Sequence, residues 1–411
     1  MTAVDFSSVA PGVRGRPGDD PIFALHTEAV RRAAAGESIL NSTLGTLATE
    51  DGRLAVLPSV AEAFLRAQGS VASGYAPVSG TPAFLDAVIA DLFGEGSLAG
   101  ESVAVATPGG TGAVYQAVLN FLEPGQKILT THYHWGPYPA IARNSGRDFD
   151  AFPMFDAGGG FHVEALSAAV DRHIDTQGRA LVVLNFPCHN PTGYSLGHNE
   201  WRRATEVLRS AGERAPVTVL FDVAYFRFGG PAATAWIAAI PELLKSTTVL
   251  VAWTASKTFT QYGARVGALV GLHRDEEERT QIRNALGFTC RSTWSTSNHA
   301  GQRAITELLV DPALRGQVDA EREALITLLS ARIRAFNEAA TVAGLRTPRF
   351  DSGFFITVFT RDGERTAAAM RDDGVFVLPV KDSVRVALCS TPKSAIPRMV
   401  DALVKGVAAA G

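Results

Sequence analysis

The sequence predicts an α/β protein: a large domain on a mostly parallel sheet covered by helices on both faces, then a smaller α+β domain. Three observations carry this. Five short β-rich runs (VAVAT at 103–107, KILTT at 127–131, ALVVLNF at 180–186, VTVLFD at 217–222 and TTVLVAW at 247–253) are too apolar to alternate, as expected of strands covered on both faces. Helical patterns lie between these runs, and strands interleaved with helices make parallel sheets. After about residue 310 the pattern changes to a long charged amphipathic segment, VDAEREALITLLSARIRAFNEAATVAG, followed by FFITVF, a helix, FVLP, VRVALC and a last helix. The expected division is an N-terminal arm with part of the small domain at 1–52, a large domain at 53–310 and a small C-terminal domain at 311–411.

One helix is legible almost in full. Thr81 is placed to cap it, and Pro82 suits the first helical position, where its missing N–H goes unpaired anyway. Phe84, Leu85, Val88, Ile89, Leu92 and Phe93 recur at helical spacing, and Gly94 supplies a left-handed stop. Further helices are expected over 111–122, 200–210 and 300–310.

Composition excludes several classes. Across 411 residues, 46% are hydrophobic and 19% charged, so the chain is not disordered throughout. Lys+Arg 38 against Asp+Glu 41 leaves no basic surplus for a nucleic-acid groove. No continuous apolar stretch reaches the roughly 18 residues of a spanning helix, and the first twenty residues lack the charged-then-apolar order of a secretory leader. Cys188, Cys290 and Cys389 are odd in number and widely spaced, which argues against a disulfide framework and for a reducing cytoplasm.

Four segments carry chemistry. VAVAT runs into PGGTGA and a helix, so backbone N–H groups of Gly110 and its neighbours, with the Thr111 hydroxyl, can meet an anion; a tight turn explains the same residues. FDVAY places Asp222 at the carboxyl end of a buried strand, with Tyr225 three residues on, where open α/β sheets bind ligands; turn capping is the plain alternative. In TASKTFTQYGARVG, Lys257 follows a buried strand among small and hydroxylated neighbours. A lysine so held can attack a carbonyl as a free amine, and Arg265 with Thr254 or Ser256 can bind phosphate oxygens; an exposed loop lysine is the plain alternative. CHNPTG is a strong turn that also points Asn190 toward the same sheet edge.

Taken in chain order, with HYHW, GYAPVSGTPAF and the late Arg385, these segments resemble the fold-type-I pyridoxal-phosphate enzymes. Within that group they resemble the class I aminotransferases of the aspartate and aromatic type, from about Asn41 to the last helix. The resemblance implies a seven-stranded-type, mostly parallel sheet, pyridoxal 5'-phosphate as cofactor, and a cytoplasmic homodimer with shared active sites. It casts Lys257 as the Schiff-base lysine that also moves the substrate proton, and Asp222 as the partner of the pyridine nitrogen. Tyr225 and Asn190 would bond the ring oxygen, and Trp135 would stack on the ring. Gly110, Thr111, Thr254, Ser256 and Arg265 would hold the phosphate, with Tyr75 reaching it from the other subunit. Arg385 would grip the substrate α-carboxylate, Gly45 belongs to the loop that closes over the substrate, and Arg291 would bind a distal carboxylate in the neighbouring subunit's site.

The chain departs from the dicarboxylate pattern at Thr46-Leu47-Ala48 and after Arg385, at Val386-Ala387-Leu388-Cys389, and Thr254 stands where the family has a serine. These changes touch the substrate pocket and not the lysine chemistry. The expected activity is therefore a ping-pong exchange of an amino group between an L-amino acid, dicarboxylic or aromatic, and a 2-oxo acid. Alternatives are elimination, replacement or carbon–carbon bond formation on the same cofactor, and a non-catalytic effector-binding protein on the same fold. His132, His134, His189 and Cys188 fit no tetrahedral metal spacing, so no metal is expected. Cys389 reads as a small core residue.

Overall fold

The computed structural model describes residues 7–16, 18 and 20–411. Residues 1–6, 17 and 19 of the expected N-terminal arm lie outside this description. In chain order the strands are β1 (Leu40–Asn41), β2 (Ser102–Pro108), β3 (Lys127–Thr131), β4 (Asp148–Phe152), β5 (Ala180–Leu184) and β6 (Val217–Asp222). They continue with β7 (Thr248–Thr254), β8 (Val266–Leu272), β9 (Phe355–Phe359), β10 (Val375–Phe376), β11 (Leu378–Val380) and β12 (Ser383–Ala387). Seven form one sheet in the order β2-β8-β7-β6-β5-β3-β4. Strand β8 opposes both of its neighbours, and the remaining pairings are parallel.

The unbroken apolar runs have a direct physical reading. In β5, Val182 and Leu184 join the core on one face of the sheet, while Leu181 and Val183 join the core on the other. In β6, Val219 and Phe221 go one way and Leu220 the other. Successive side chains of a strand point to opposite faces, so a sheet covered twice needs apolar residues at every position. Burial of each such side chain contributes about 1.5–3 kcal/mol.

Local expectations fared unevenly. The helix Pro82–Phe93 stops at Gly94, which has φ 64°. Thr81 is the N-cap residue, but its hydroxyl caps no helix N–H; its own backbone N–H donates to Gln302 Oε1 at 2.8 Å. The helix expected from 111 begins two residues earlier, at Gly109–Phe121, and the run 180–186 leaves the sheet after Leu184. The helices His198–Gly212 and His299–Val310 fall where expected. The long helix is Pro312–Val342, capped by the Asp311 carboxylate accepting from Ala313 and Leu314 N–H. Two strands of the large sheet escaped the sequence reading, as did the short β1. In β4 (DFDAF) two acids interrupt an edge strand that is only half buried. Strand β8 carries Gly267 and Gly271; a Cβ on Gly267 would lie 2.5 Å from the Gly109 carbonyl carbon, so glycine there lets β8 press against the turn after β2.

Beyond the large sheet, β11-β12-β9 form an antiparallel sheet, and β1 pairs in parallel with β10. Leu40, Leu47 and Ala55 pack in one core with Phe355, Val384 and Leu403, so the chain start and chain end share a core. Among the described residues no helix is long and apolar enough to cross a membrane.

Candidate active site

The carboxyl ends of the parallel strands converge on one cavity. Its lining includes Gly110 and Thr111 after β2, Trp135 after β3, Asn185 and Asn190 after β5, and Asp222, Ala224 and Tyr225 at and after β6. Thr254, Ser256 and Lys257 at and after β7, and Arg265 just before β8, complete it. Parallel strands deliver their loops to the same side, which is why residues scattered over 156 positions meet here.

One wall is an array of anion donors. Arg265 Nη1 donates to Ser256 Oγ at 3.2 Å and to the Tyr262 carbonyl at 2.9 Å, and Nη2 lies 3.5 Å from Thr111 Oγ1. Thr254 Oγ1 donates to Ser256 Oγ at 3.0 Å and accepts from Ser256 N–H, so it caps the short turn that carries Lys257. Gly109 sits at φ +69°, and a Cβ there would fall 2.3 Å from Arg265 Nη2. The guanidinium thus rests against bare backbone at the start of the helix Gly109–Phe121, whose first N–H groups have no partner within the helix.

Elsewhere in the cavity an acid and an amine set each other's charge. Asp222 is 7% exposed. Its Oδ2 accepts from Tyr138 Oη at 2.6 Å, and Asn185 Nδ2 donates to its carbonyl at 2.9 Å. Burial raises the Asp222 pKa, against the Tyr138 bond and the Lys257 charge, which lower it. Burial brings Lys257 down to about 8, against the pull of Asp222 and with help from Arg265. Its Nζ lies 5.2 Å from the Tyr225 ring centroid. An amine so shifted is available in its neutral, nucleophilic form near physiological pH. Tyr225 is buried, with its hydroxyl 3.5 Å from Asn190 Nδ2, and burial raises its pKa despite Arg385 nearby. Trp135 stands edge-on to Tyr138, with centroids 5.4 Å apart.

Arg385, in β12, adjoins this group. It is 4% exposed; Nη1 donates to Asn190 Oδ1 at 3.2 Å, Nη2 donates to the Thr43 carbonyl at 2.5 Å, and the guanidinium lies 4.3 Å from the Phe355 ring centroid. Its Nε is buried without a partner, and burial holds its pKa down at about 10. Burying a cation with an unmet donor costs free energy, which an anion brought to the guanidinium would offset. Gly45 lies against the same ring: a Cβ there would fall 2.4 Å from Phe355 Cζ.

Two expected residues stand apart. Tyr75 is 92% exposed, and Arg291, at the end of the helix Glu276–Thr293, is exposed and bonded through Nη1 to Ser295 Oγ at 2.6 Å. Neither lines the cavity of its own chain; Arg385 and Gly45 also lie outside its lining, Arg385 joining it through Asn190. His189 is a satisfied core residue: Nδ1 faces Thr192 Oγ1 at 2.9 Å, Nε2 faces Thr131 Oγ1 at 3.2 Å, and burial lowers its pKa to about 3. Cys389 is fully buried. Asn185 and Tyr138 were missed in the sequence. Asn185 had a signal, as the only polar residue in ALVVLNF. Tyr138 had none, since its partner lies 84 positions away.

Residues 39–403 match the family described as aminotransferase class I and II. The chain is 31% identical over 294 residues to the aromatic-amino-acid aminotransferase of Pseudomonas aeruginosa, covering 69% of this chain and 70% of that one. It superposes on the crystal structure of an aminotransferase from Anaerococcus prevotii with a TM-score of 0.90 at 29% identity, covering 98% and 99% of the two chains. At 24% identity it shares the fold of the aromatic-amino-acid aminotransferase of Burkholderia pseudomallei, solved covalently bound to pyridoxal phosphate, with a TM-score of 0.81 over 97% and 100%. With a family match that spans most of its length and an amine, an acid and an anion-binding wall in one cavity, this chain belongs to the class I and II aminotransferases, enzymes that use pyridoxal phosphate.

Proposed function

We propose that this enzyme exchanges an amino group between an L-amino acid, dicarboxylic or aromatic, and a 2-oxo acid in two half-reactions, working as a cytoplasmic homodimer with shared active sites. The observation that carries the reading is Lys257, an amine lowered to about 8 in the same cavity as the buried Asp222 and the Arg265 wall.

The residues present fit pyridoxal phosphate by chemistry. Arg265, Thr254, Ser256, Thr111 and the Gly110 backbone form a phosphate donor set, and Asp222 is a buried carboxylate suited to a protonated ring nitrogen. Asn190 and the Tyr225 hydroxyl serve a ring oxygen, and Trp135 offers an aromatic face. When bound, the cofactor supplies an aldehyde that takes up amines and a ring that accepts the electron pair released at the substrate α-carbon. Arg385, hydrogen-bonded to the cavity residue Asn190, orients the amino acid through its α-carboxylate. Lys257 Nζ removes the α-proton and returns it, which requires the neutral amine that burial favours. Tyr138 holds Asp222 in place and in its charged form. Gly45 admits the substrate loop against Phe355 without a side chain in the way.

Tyr75 and Arg291 take their roles in the neighbouring subunit's site. Both are exposed and neither lines the cavity of its own chain, which supports that arrangement. The free, buried Cys188, Cys290 and Cys389 support a reducing compartment.

The test mixes purified holoenzyme with single amino acids and no acceptor. One equivalent of 2-oxo acid per subunit, without ammonia, is expected from aromatic or dicarboxylic amino acids. Continuous release of ammonia and oxo acid would instead assign an elimination reaction, and no oxo acid from any amino acid would overturn the proposal.

A further inference from the structure

Arg332 lies in the middle of the long helix Pro312–Val342 and is fully buried, at 0% exposure. Burying a guanidinium costs free energy that its hydrogen bonds and ion pairs must offset. All three nitrogens of Arg332 have partners. Nε donates to Glu50 Oε1 at 2.8 Å, and Nη2 lies 2.6 Å from the same oxygen and donates to the Ala48 carbonyl at 2.9 Å. Nη1 donates to the Cys389 carbonyl at 2.7 Å. One side of the fork therefore holds the segment that follows Gly45. The other holds the chain just beyond β12, the strand of Arg385.

The two held pieces are laced together at further points. Ala48 N–H donates to the Cys389 carbonyl at 2.9 Å, Ala387 N–H donates to the Ser42 carbonyl at 3.1 Å, and Arg385 itself reaches the Thr43 carbonyl. Glu50 Oε2 accepts from Lys393 N–H at 2.9 Å. Leu47 N–H donates to Tyr262 Oη at 3.0 Å, and the Tyr262 carbonyl accepts from Arg265. The substrate loop is thus suspended between the phosphate wall and the carboxylate arginine, and Arg332 is the buried charge that fixes its far end. A planar fork meeting two carbonyls and a carboxylate at once fixes both distance and angle, which a lysine does not.

We infer that Arg332 is a positioning residue that sets the Gly45 loop against Arg385 and thereby sets the affinity for the substrate α-carboxylate. It touches neither substrate nor cofactor. The inference rests on Arg385 binding that carboxylate. A residue that only held the fold together would weaken every substrate alike; a residue that positions Arg385 weakens carboxylate-bearing substrates selectively.

The test compares phenylalanine with 2-phenylethylamine, the same amine without its carboxylate, on holoenzyme variants. Arg332→Met fills the volume without donors, and Glu50→Gln weakens the fork from its partly exposed end. For Arg332→Met, KM for phenylalanine should rise about tenfold or more with kcat changed less than about threefold. The single-turnover rate with phenylethylamine, measured first for the wild type, and the retention of cofactor on dialysis should not change. Glu50→Gln should move KM the same way by a smaller factor, and it decides the matter if Arg332→Met does not fold. Arg385→Ala is the control. If it fails to separate the two amines, the carboxylate reading itself falls. If it separates them while Arg332→Met and Glu50→Gln leave KM unchanged, or lower both amines equally, the role of Arg332 alone is overturned.

Discussion

Lys257 should make the cofactor-free protein less stable at neutral pH, and its replacement by methionine should reveal by how much. An ordinary lysine titrates at 10.5; burial brings Lys257 to about 8. Below pH 8 the amine is charged in both folded and unfolded chains, and the fold bears the cost of burying it. Between about 8 and 10.5 the folded protein sheds a proton that the unfolded chain keeps, so stability rises with pH across that window. At about 1.36 kcal/mol per pH unit the full gain is about 3 kcal/mol; because the cavity opens to solvent, 2–3 kcal/mol is the expected size, on the order of a fully buried methyl-rich side chain. Lys257→Met has no such proton. The stability difference between wild type and Lys257→Met should therefore be flat from pH 6 to 7.5 and then shift toward wild type by ~2–3 kcal/mol up to pH 10.5. Urea unfolding of both cofactor-free proteins at a series of pH values measures this, with the slope m checked for constancy. Titrating groups that do not interact with Lys257 cancel, and Asp222, whose pKa the Lys257 charge lowers, is followed separately in each protein. Parallel curves across the window would refute the claim that the amine is held near 8, and with it the account of Lys257 as a neutral nucleophile.

Further outcomes test the other residues. Asp222→Ala should remain folded by circular dichroism while its half-reaction with an amino acid slows by at least about a hundredfold in single-turnover mixing; an unchanged rate would reduce Asp222 to a turn residue. Tyr75→Ala and Lys257→Ala subunits, each inactive alone, should regain part of the activity when mixed and allowed to exchange, because one site of the hybrid then carries neither lesion. Full activity from a monomer at micromolar concentration would contradict the shared site. Arg291→Ala should cut kcat/KM for dicarboxylates roughly ten- to a hundredfold, the worth of a charge-assisted pair, and leave aromatic substrates nearly unchanged. Equal losses for both classes would make Arg291 structural, and no loss for either would mean that no dicarboxylate is bound through it.

Legibility in the sequence followed the range of the force involved. The strands of the sheet interior showed themselves because double burial demands apolar residues at every position, as in ALVVL and VTVLFD. Strand β8 was hidden because Gly267 serves a close approach to a neighbouring turn and Gly271 one to the Ile282 side chain, and close approach leaves no periodicity. Thr81 holds the N-cap position as expected but its hydroxyl makes no cap bond, and the Gln302 side chain from another helix accepts from its N–H, a contact with no local signal.

The sequence alone determined the chemical types and their places at strand ends: an acid at Asp222, an amine at Lys257, glycines at 109 and 110, and an arginine at 265 behind a hydroxyl-rich turn. These follow from local pattern, because a buried strand followed by small and polar residues is written in consecutive positions. Tertiary structure alone decided which groups meet. The antiparallel insertion of β8 between β2 and β7 carries Arg265 onto the turn at Gly109. Packing of the helix Pro137–Asn144 brings Tyr138 onto Asp222, and the long helix lays Arg332 between the chain's two ends. Hydrogen-bond partners at such separations are set by sheet order and helix packing, which depend on all the contacts at once and are written in no single stretch of residues.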